Sequence, residues 1–397
     1  MAQDNVEELQ GPYGPVVISE EILQRIWAHQ DFVRDRLTTV SGKSLEIRFP
    51  GSWNRAGGPD FLNARLLIDG VIHEGDVEIH FREREWDDHG HANNPAFGKV
   101  LLHVILFPSS STDVSQPRSF KPRETLLWLP HLDRDLESYA DETAYSLLGS
   151  SVEQEVLAAL SRLDVAERRT IIRTAAGQRW ERKVSRARTA CNEVSPSEVA
   201  HRFVLEGLGL SRNRSPMLRL ARRFPLEEWK NPEASDLPSR AFHSETGWKL
   251  SGLRPINRPE NRLRQYHRLC SKAPGWSDHF LQWIHQLPVI SPANSTVHFR
   301  RSNQTGQLGS DLIQEIFANQ ISGTRLHTIF TDYLLPLASV QLDTSLEALW
   351  FHWYGGDVSS AVERLLRLSG ITEPHRHPGS NGWNQGIIHQ LATAAAA

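Results

Sequence analysis

Residues 57–91 read GGPDFLNARLLIDGVIHEGDVEIHFREREWDDHGH. Asp69-Gly70 stands between two runs of hydrophobic residues, and an Asp-Gly pair supplies the positive φ angles that a tight hairpin turn requires. The runs on either side are therefore predicted to be antiparallel strands. The stretch also gathers Asp60, Asp76, Glu78, His80, His89 and His91, more acid and imidazole than two strands of ordinary core need.

Register decides what those residues can do together. A strict two-residue turn makes facing residue numbers sum to 139 (69 + 70), which sets Asp60 across from Ile79 and on the face opposite Glu78. One extra residue at Glu74-Gly75, where glycine favours a bulge, shifts the sum to 140. Asp60 then faces His80, and Asp76, Glu78 and His80 share its side. Phe61, Val77 and Ile79 turn to the apolar side. A bulge at Glu74-Gly75 is the prediction.

Two or three carboxylates converging on one place suit a hard divalent cation. Asp60, Asp76 and Glu78 are the candidate ligands, for magnesium or manganese. Left bare, two carboxylates about 4 Å apart repel by roughly 4 kcal/mol at an effective dielectric of 20. An ion would relieve that repulsion, and so would Arg55, Arg65 or Arg82 in salt bridges on a solvated strand face. With Asp60 and Glu78 as catalytic carboxylates, His80, together with His89 or His91, is placed to orient or deprotonate a water molecule. Lys99 is a candidate source of positive charge from the next strand, and His103 reads as a hydrogen-bonded core histidine.

Outward from the hairpin, ISEEILQRIWAHQDFVRDRL (18–37) repeats Ile22, Ile26, Val33 and Leu37 at helical spacing. SLEIRF alternates as a strand, KVLLHVILF (99–107) is apolar throughout, as a strand buried on both faces would be, and ETLLWL reads as a last strand. The expectation is an N-terminal domain of α/β or α+β type over residues 1–140, with one helix and a mixed sheet of about five strands. From Leu147 onward the period is helical, so residues 141–397 are expected to form an all-α domain. EQEVLAALSRLDVAERRTIIRTAAGQRWERKVSRARTA is one long helix or two broken near Gly177, and the terminal ATAAAA carries no structural prediction beyond fraying.

Between Leu160 and Pro225 there are fifteen Arg or Lys against six Asp or Glu. Arginine suits bidentate phosphate contacts. Arg179, Arg182, Lys183, Arg212 and Arg214, with Arg254 and Arg258 in the proline-braced RPINRPE, are the candidate contacts to DNA or RNA. The competing reading is of solvated helix faces pairing with acids of the same chain. The tryptophans of this half (Trp180, Trp229, Trp248, Trp276, Trp283, Trp350, Trp353) are expected mainly in the core.

Two cysteines exclude a disulfide framework, no run is apolar and long enough for a membrane span, and MAQDNVEELQGPYGP is no secretory leader. A cytoplasmic location is the expectation.

GSWNRAGGPDFLNARLLIDG with GDVEIHFREREWDDHGHANNPAFGKVLLHVI resembles the signature of the bacterial domain-of-unknown-function 2851 family. GLGLSRNRSPMLRLARRFP, GLRPINRPENR and RLHTIFTDYLLPLA resemble its later blocks. Separately, Pro59-Asp60 followed by Glu78-Ile79-His80 is similar to the Pro-Asp…Asp/Glu-x-Lys nuclease superfamily, with histidine where the lysine stands. That likeness implies a restriction-endonuclease-like fold and metal-dependent phosphodiester hydrolysis on nucleic acid, or a relative that binds without cleaving.

Overall fold

Ser19 ends a strand and the acidic Glu20-Glu21 open the first helix, α1 (Glu20–His29), where their charges complement the helix N-terminus. α1 is shorter than its periodicity predicts. Gln30 adopts φ 52°, the N–H groups of Gln30 and Asp31 bond back to Trp27 and Ile26, and the chain leaves the helix with Val33 bonded to His131 instead. The computed structural model describes residues 6–11, 14–108, 119–136, 138–140, 144, 148–231, 233–291, 295–371 and 379–395. Two compact units divide the chain, with Val17–Ala140 in the first and Asp141–Ala397 in the second.

Before α1, β1 (Val6–Gly11) and β2 (Gly14–Ser19) form a two-stranded sheet. After it come β3 (Leu37–Thr38), β4 (Ser44–Phe49), β5 (Ser52–Trp53), β6 (Phe61–Ile68), β7 (Val71–Arg82), β8 (Val100–Phe107) and β9 (Glu124–Leu127). They make one mixed seven-stranded sheet in the order β3-β4-β6-β7-β8-β9, with β5 also paired to β6. Seven strands exceed the five expected because β3 and β5 are two-residue edges, too short to show a period. β4, β6 and β7 run antiparallel in turn, whereas β8 and β9 run parallel to β7. β8 is buried along nearly its whole length, which is why its sequence is apolar without alternation.

α1 lies on this sheet through Trp27, which is fully buried and stacks on Phe32 with centroids 5.7 Å apart. It meets Trp128 edge-on at 5.9 Å and Phe61 at 6.5 Å, and its indole N–H donates to Pro50 O at 3.0 Å. Burying such a ring contributes roughly 1.5–3 kcal/mol. It also fixes the helix so that Gln24 hangs over the start of β6.

In the second unit the long basic stretch is two helices, Ser151–Ser161 and Val165–Glu193. The break falls at Asp164, not Gly177, because Asp164 and Glu167 form a capping box that starts a new helix. Gly177 continues the helix, where an added Cβ would come 3.3 Å from Glu347 Oε1. The tryptophans enter the core as expected, with Trp180, Trp229, Trp276, Trp283, Trp350 and Trp353 buried and Trp248 packed against its edge. The C-terminal segment forms a helix, Asn381–Ala395, anchored by buried Ile387, Ile388 and Leu391. Among the described residues no helix is long and apolar enough to cross a membrane.

Candidate metal centre

The hairpin does carry a bulge, but on the opposite strand from the one predicted. Facing numbers sum to 139 from Ile68↔Val71 through Ala64↔Gly75, and then Phe61 pairs with Val77, a sum of 138. The extra residue therefore lies in β6, where Leu62 and Asn63 together face Asp76. Asn63 takes φ 56°, a left-handed conformation that asparagine tolerates, and its N–H donates to Asp76 Oδ1 at 3.0 Å. Gly75 serves another purpose. A Cβ there would sit 2.8 Å from both Leu101 Cβ and Lys99 O, so glycine admits β8 alongside β7.

Because the sum falls to 138, Asp60 meets Glu78, not His80. The Asp60 N–H donates to Glu78 Oε2 at 2.9 Å. Asp60 Oδ2 accepts from the Ile79 N–H at 2.9 Å, and Oδ1 accepts from Gln24 Nε2 at 2.6 Å. Asp76, Glu78 and His80 alternate along β7 and are all buried, while Phe61, Val77 and Ile79 fill the apolar face as predicted. Asp76 holds the bulge through Asn63.

The two loop histidines come to the same place. The chain from β7 to β8 passes through α2 (Glu85–Asp88) and two short 3-10 turns, His91–Asn93 and Pro95–Phe97. Glu85 Oε2 accepts from the N–H groups of Phe81 and Arg82 at 2.9 and 3.3 Å, which ends the strand and starts the turn. Trp86, Ala92, Phe97 and Val100 form a small core under the loop, and Trp86 Nε1 donates to Phe120 O at 3.2 Å. Gly90, at φ 73°, supplies the reversal that lets His89 and His91 both face β7. The ring of His91 stacks on Phe97 at 3.7 Å.

One donor atom from each of His80, His89 and His91 lies within 4.8 Å of those of the other two. Glu78 Oε1 is 3.2 Å from His91 Nε2 and 3.4 Å from His80 Nε2. The other nitrogen of His80, Nδ1, shares a hydrogen bond with His103 Nε2 at 2.9 Å. Neither ring nitrogen of His91 makes a well-directed hydrogen bond among the described residues.

The electrostatics follow from burial. Desolvation pushes Glu78 up to about 8 despite the Asp60 N–H it accepts. Desolvation and then the charge of Glu78 hold Asp60 well above the usual carboxylate range, against hydrogen bonds from Ile79 and Gln24. Burial takes His91 down to about 4. It also depresses His80, helped by His103, His91 and His89, and lowers His89. At neutral pH this is a set of uncharged imidazoles, His80 buried and His89 exposed at the rim, around carboxyls that resist ionisation.

No lysine or arginine pairs with Asp60 or Glu78 among the described residues. The three arginines proposed to neutralise them stack on aromatic rings: Arg55 on Trp53 at 4.4 Å, Arg65 on Phe49 at 5.9 Å and Arg82 on Phe107 at 5.5 Å. Lys99 is exposed at the entry to β8, beside the Asp76 end of β7. Two positioning residues, Gln24 and Glu85, escape sequence reading. Nothing in a helical glutamine or a post-strand glutamate announces such a role.

The candidate nucleic-acid residues differ among themselves. Arg179 is buried and donates to Gln385 Oε1 at 2.8 Å, Arg182 meets His389 Nδ1 at 2.8 Å, and Lys183 pairs with Asp332 at 3.0 Å. Arg212 donates to Ser251 O at 2.9 Å, and Arg214 is half-buried and engaged within the fold. Arg254 and Arg258 are exposed, with no side-chain partner among the described residues.

A mixed sheet with a histidine- and carboxylate-lined centre at its β6–β7–α2 corner thus defines an α/β unit, followed by a mostly helical one. The chain belongs to the DUF2851 family, described as a protein of unknown function, whose model matches residues 20–243. That span runs from α1 across the whole centre into the helical unit. Comparison with curated proteins and with solved structures found no match in either.

Proposed function

We propose that this protein hydrolyses phosphodiester bonds of nucleic acid, using a divalent ion bound beside Glu78. The observation that carries the reading is the contact of Asp60 with Glu78, whose Oε2 accepts from the Asp60 backbone N–H at 2.9 Å, with no cationic side chain paired to either among the described residues. Carboxyls brought together out of water either hold a proton or need a cation, and a bound cation would let Glu78 ionise here. Further support comes from the chain order. A helix precedes an antiparallel hairpin with Pro59-Asp60 on one strand and Glu78-Ile79-His80 on the next, and a parallel strand follows. This is the order of elements in the restriction-endonuclease-like nucleases.

Histidine in place of their lysine changes the division of labour. His80 is uncharged at neutral pH and cannot itself stabilise a negatively charged phosphorane-like transition state. A bound divalent ion would supply that Lewis acidity. Water adds to phosphorus while the bond to the leaving oxygen breaks. One water proton passes to a base and the leaving alkoxide takes up a proton. With an ion held beside Glu78, the attacking water would give up the first to bulk solvent near neutral pH. Asp60 orients Glu78 through its backbone N–H.

The test is cleavage of single- and double-stranded DNA and RNA by the wild type and by Glu78→Gln, with Mg²⁺, with Mn²⁺, with Zn²⁺ and with chelator. Ion-dependent cleavage is expected, weakened in Glu78→Gln by at least the ~10- to 100-fold that loss of even an outer partner produces. No cleavage of any substrate, or cleavage indifferent to chelator, overturns the proposal. A second reading is an interaction scaffold without chemistry. The internal engagement of Arg179, Arg182 and Lys183 favours it, since these cations are already committed within the fold.

A further inference from the structure

The donor atoms at this corner are richer in nitrogen than a magnesium site allows. Magnesium demands oxygen ligands in near-ideal octahedral geometry, whereas imidazole suits zinc and its first-row neighbours. We propose that His80, His91, His89 and Glu78 form a single site for a divalent transition ion of the zinc class. The proposal deepens the hydrolase reading by naming its ion, although the binding itself needs no nucleic acid.

The distances fit. Ligands at 2.0–2.2 Å from a tetrahedral ion lie about 3.3–3.6 Å from one another. Glu78 Oε1 stands 3.2 Å from His91 Nε2 and 3.4 Å from His80 Nε2, as ligands flanking one ion would. His89 is the outermost of the three imidazoles and closes the set within 4.8 Å. Its position on the loop after α2 lets it move the last fraction of that distance.

The outer partners fit as well. A metal-ligating histidine commonly shares its second ring nitrogen with a neighbouring group, which fixes the ring and its tautomer. His80 does this through His103, leaving Nε2 turned to Glu78. Glu78 is held in turn by the Asp60 N–H, and Asp60 by Gln24 and Ile79. His91 gives an independent indication. Its ring is nearly enclosed, packed between Phe97 and Trp86, and neither nitrogen has a well-directed hydrogen bond among the described residues. Buried polar atoms in folded proteins are rarely left so.

The experiment strips the full chain with chelator and adds Zn²⁺, Co²⁺ or Mg²⁺ alone. Bound metal is counted by elemental analysis after desalting, and Co²⁺ is followed by its visible absorption. The wild type should retain about one equivalent of Zn²⁺ and give intense tetrahedral-type Co²⁺ bands. His91→Ala, His89→Ala and Glu78→Gln should each weaken binding by at least about tenfold. Control variant His279→Ala, at an exposed histidine of the second unit, should bind as the wild type does. Mg²⁺ in large excess should not displace the transition ion. Should His91→Ala fail to fold, the conservative Glu78→Gln and the rim variant His89→Ala still decide.

No stoichiometric Zn²⁺ or Co²⁺ in the wild type, or full binding in folded His89→Ala and Glu78→Gln, overturns the proposal. Zn²⁺ binding without cleavage of any nucleic acid leaves this site standing and removes the hydrolase reading. Cleavage with Mg²⁺ and no transition-ion binding does the reverse.

Discussion

His103 Nε2 on β8 lies 2.9 Å from His80 Nδ1 on β7, between parallel strands in which His103 is registered against Glu78. This bond turns the remaining nitrogen of His80 toward the Glu78 carboxylate. A histidine inside an apolar strand thereby becomes a positioning residue for the centre.

Replacing that partner should loosen the site without unfolding the sheet. His103→Phe should lower ion affinity by about 10- to 100-fold, the usual cost of losing an outer partner. His103→Gln, which keeps a hydrogen-bonding group, should lose less. Competitive titration against a chromogenic chelator measures both, and unchanged affinity in His103→Phe would deny the positioning role.

The bulge gives a prediction about stability alone. Asp76→Ala removes the acceptor for the Asn63 N–H and should cost about 1–3 kcal/mol. Asp76→Asn preserves an acceptor oxygen and should cost much less. Urea denaturation separates the two, and equal losses would show that Asp76 acts through its charge instead.

Gly75 tests the close approach of β8. Gly75→Ala places a methyl group 2.8 Å from Leu101 Cβ and Lys99 O, one of them backbone and unable to yield alone. A loss of about 1–3 kcal/mol is expected, as for overpacking elsewhere. An unchanged denaturation midpoint would mean that the strands part at little cost.

The ion-free protein should have a distinctive dependence on pH. Glu78 titrates at about 8 in the folded state, raised from the ordinary carboxylate range. A group with a raised folded pKa contributes stability that is complete below its unfolded pKa and lost as pH rises through the folded value. Below the ordinary histidine range the lowered His80, His89 and His91 act in the opposite sense, so the melting temperature of the chelator-treated protein should fall between about pH 7 and about pH 9. Glu78→Gln, with no proton to lose, should flatten this fall, and so should a bound ion. A wild-type profile as flat as that of Glu78→Gln would contradict the burial that raises this carboxyl.

Much of this is legible in the sequence. Asp69-Gly70 fixed the hairpin because few residue pairs accept its turn, and KVLLHVILF announced a doubly buried strand. The place where carboxylates and imidazoles meet was visible as a density of residue types. What escaped was geometry set by tertiary contact. Gly75 was read as a bulge residue because glycine permits one, yet the approach of β8 claims it, and the bulge goes to Asn63, whose amide Asp76 can bond. Gly177 invited a helix break that the Asp164–Glu167 capping box placed elsewhere. Periodicity carried α1 past His29 because it cannot register a left-handed cap at Gln30. The role of His103 depends on a neighbour in another strand, which no linear spacing encodes.

The most direct measurement is anomalous diffraction at the zinc edge from crystals of the full chain soaked in Zn²⁺. The account predicts one strong peak bonded to Glu78 Oε1 and to ring nitrogens of His80 and His91, with His89 drawn in, at about 2.0–2.2 Å from each. A map with no peak at this corner, or peaks only at exposed surface histidines, would contradict it.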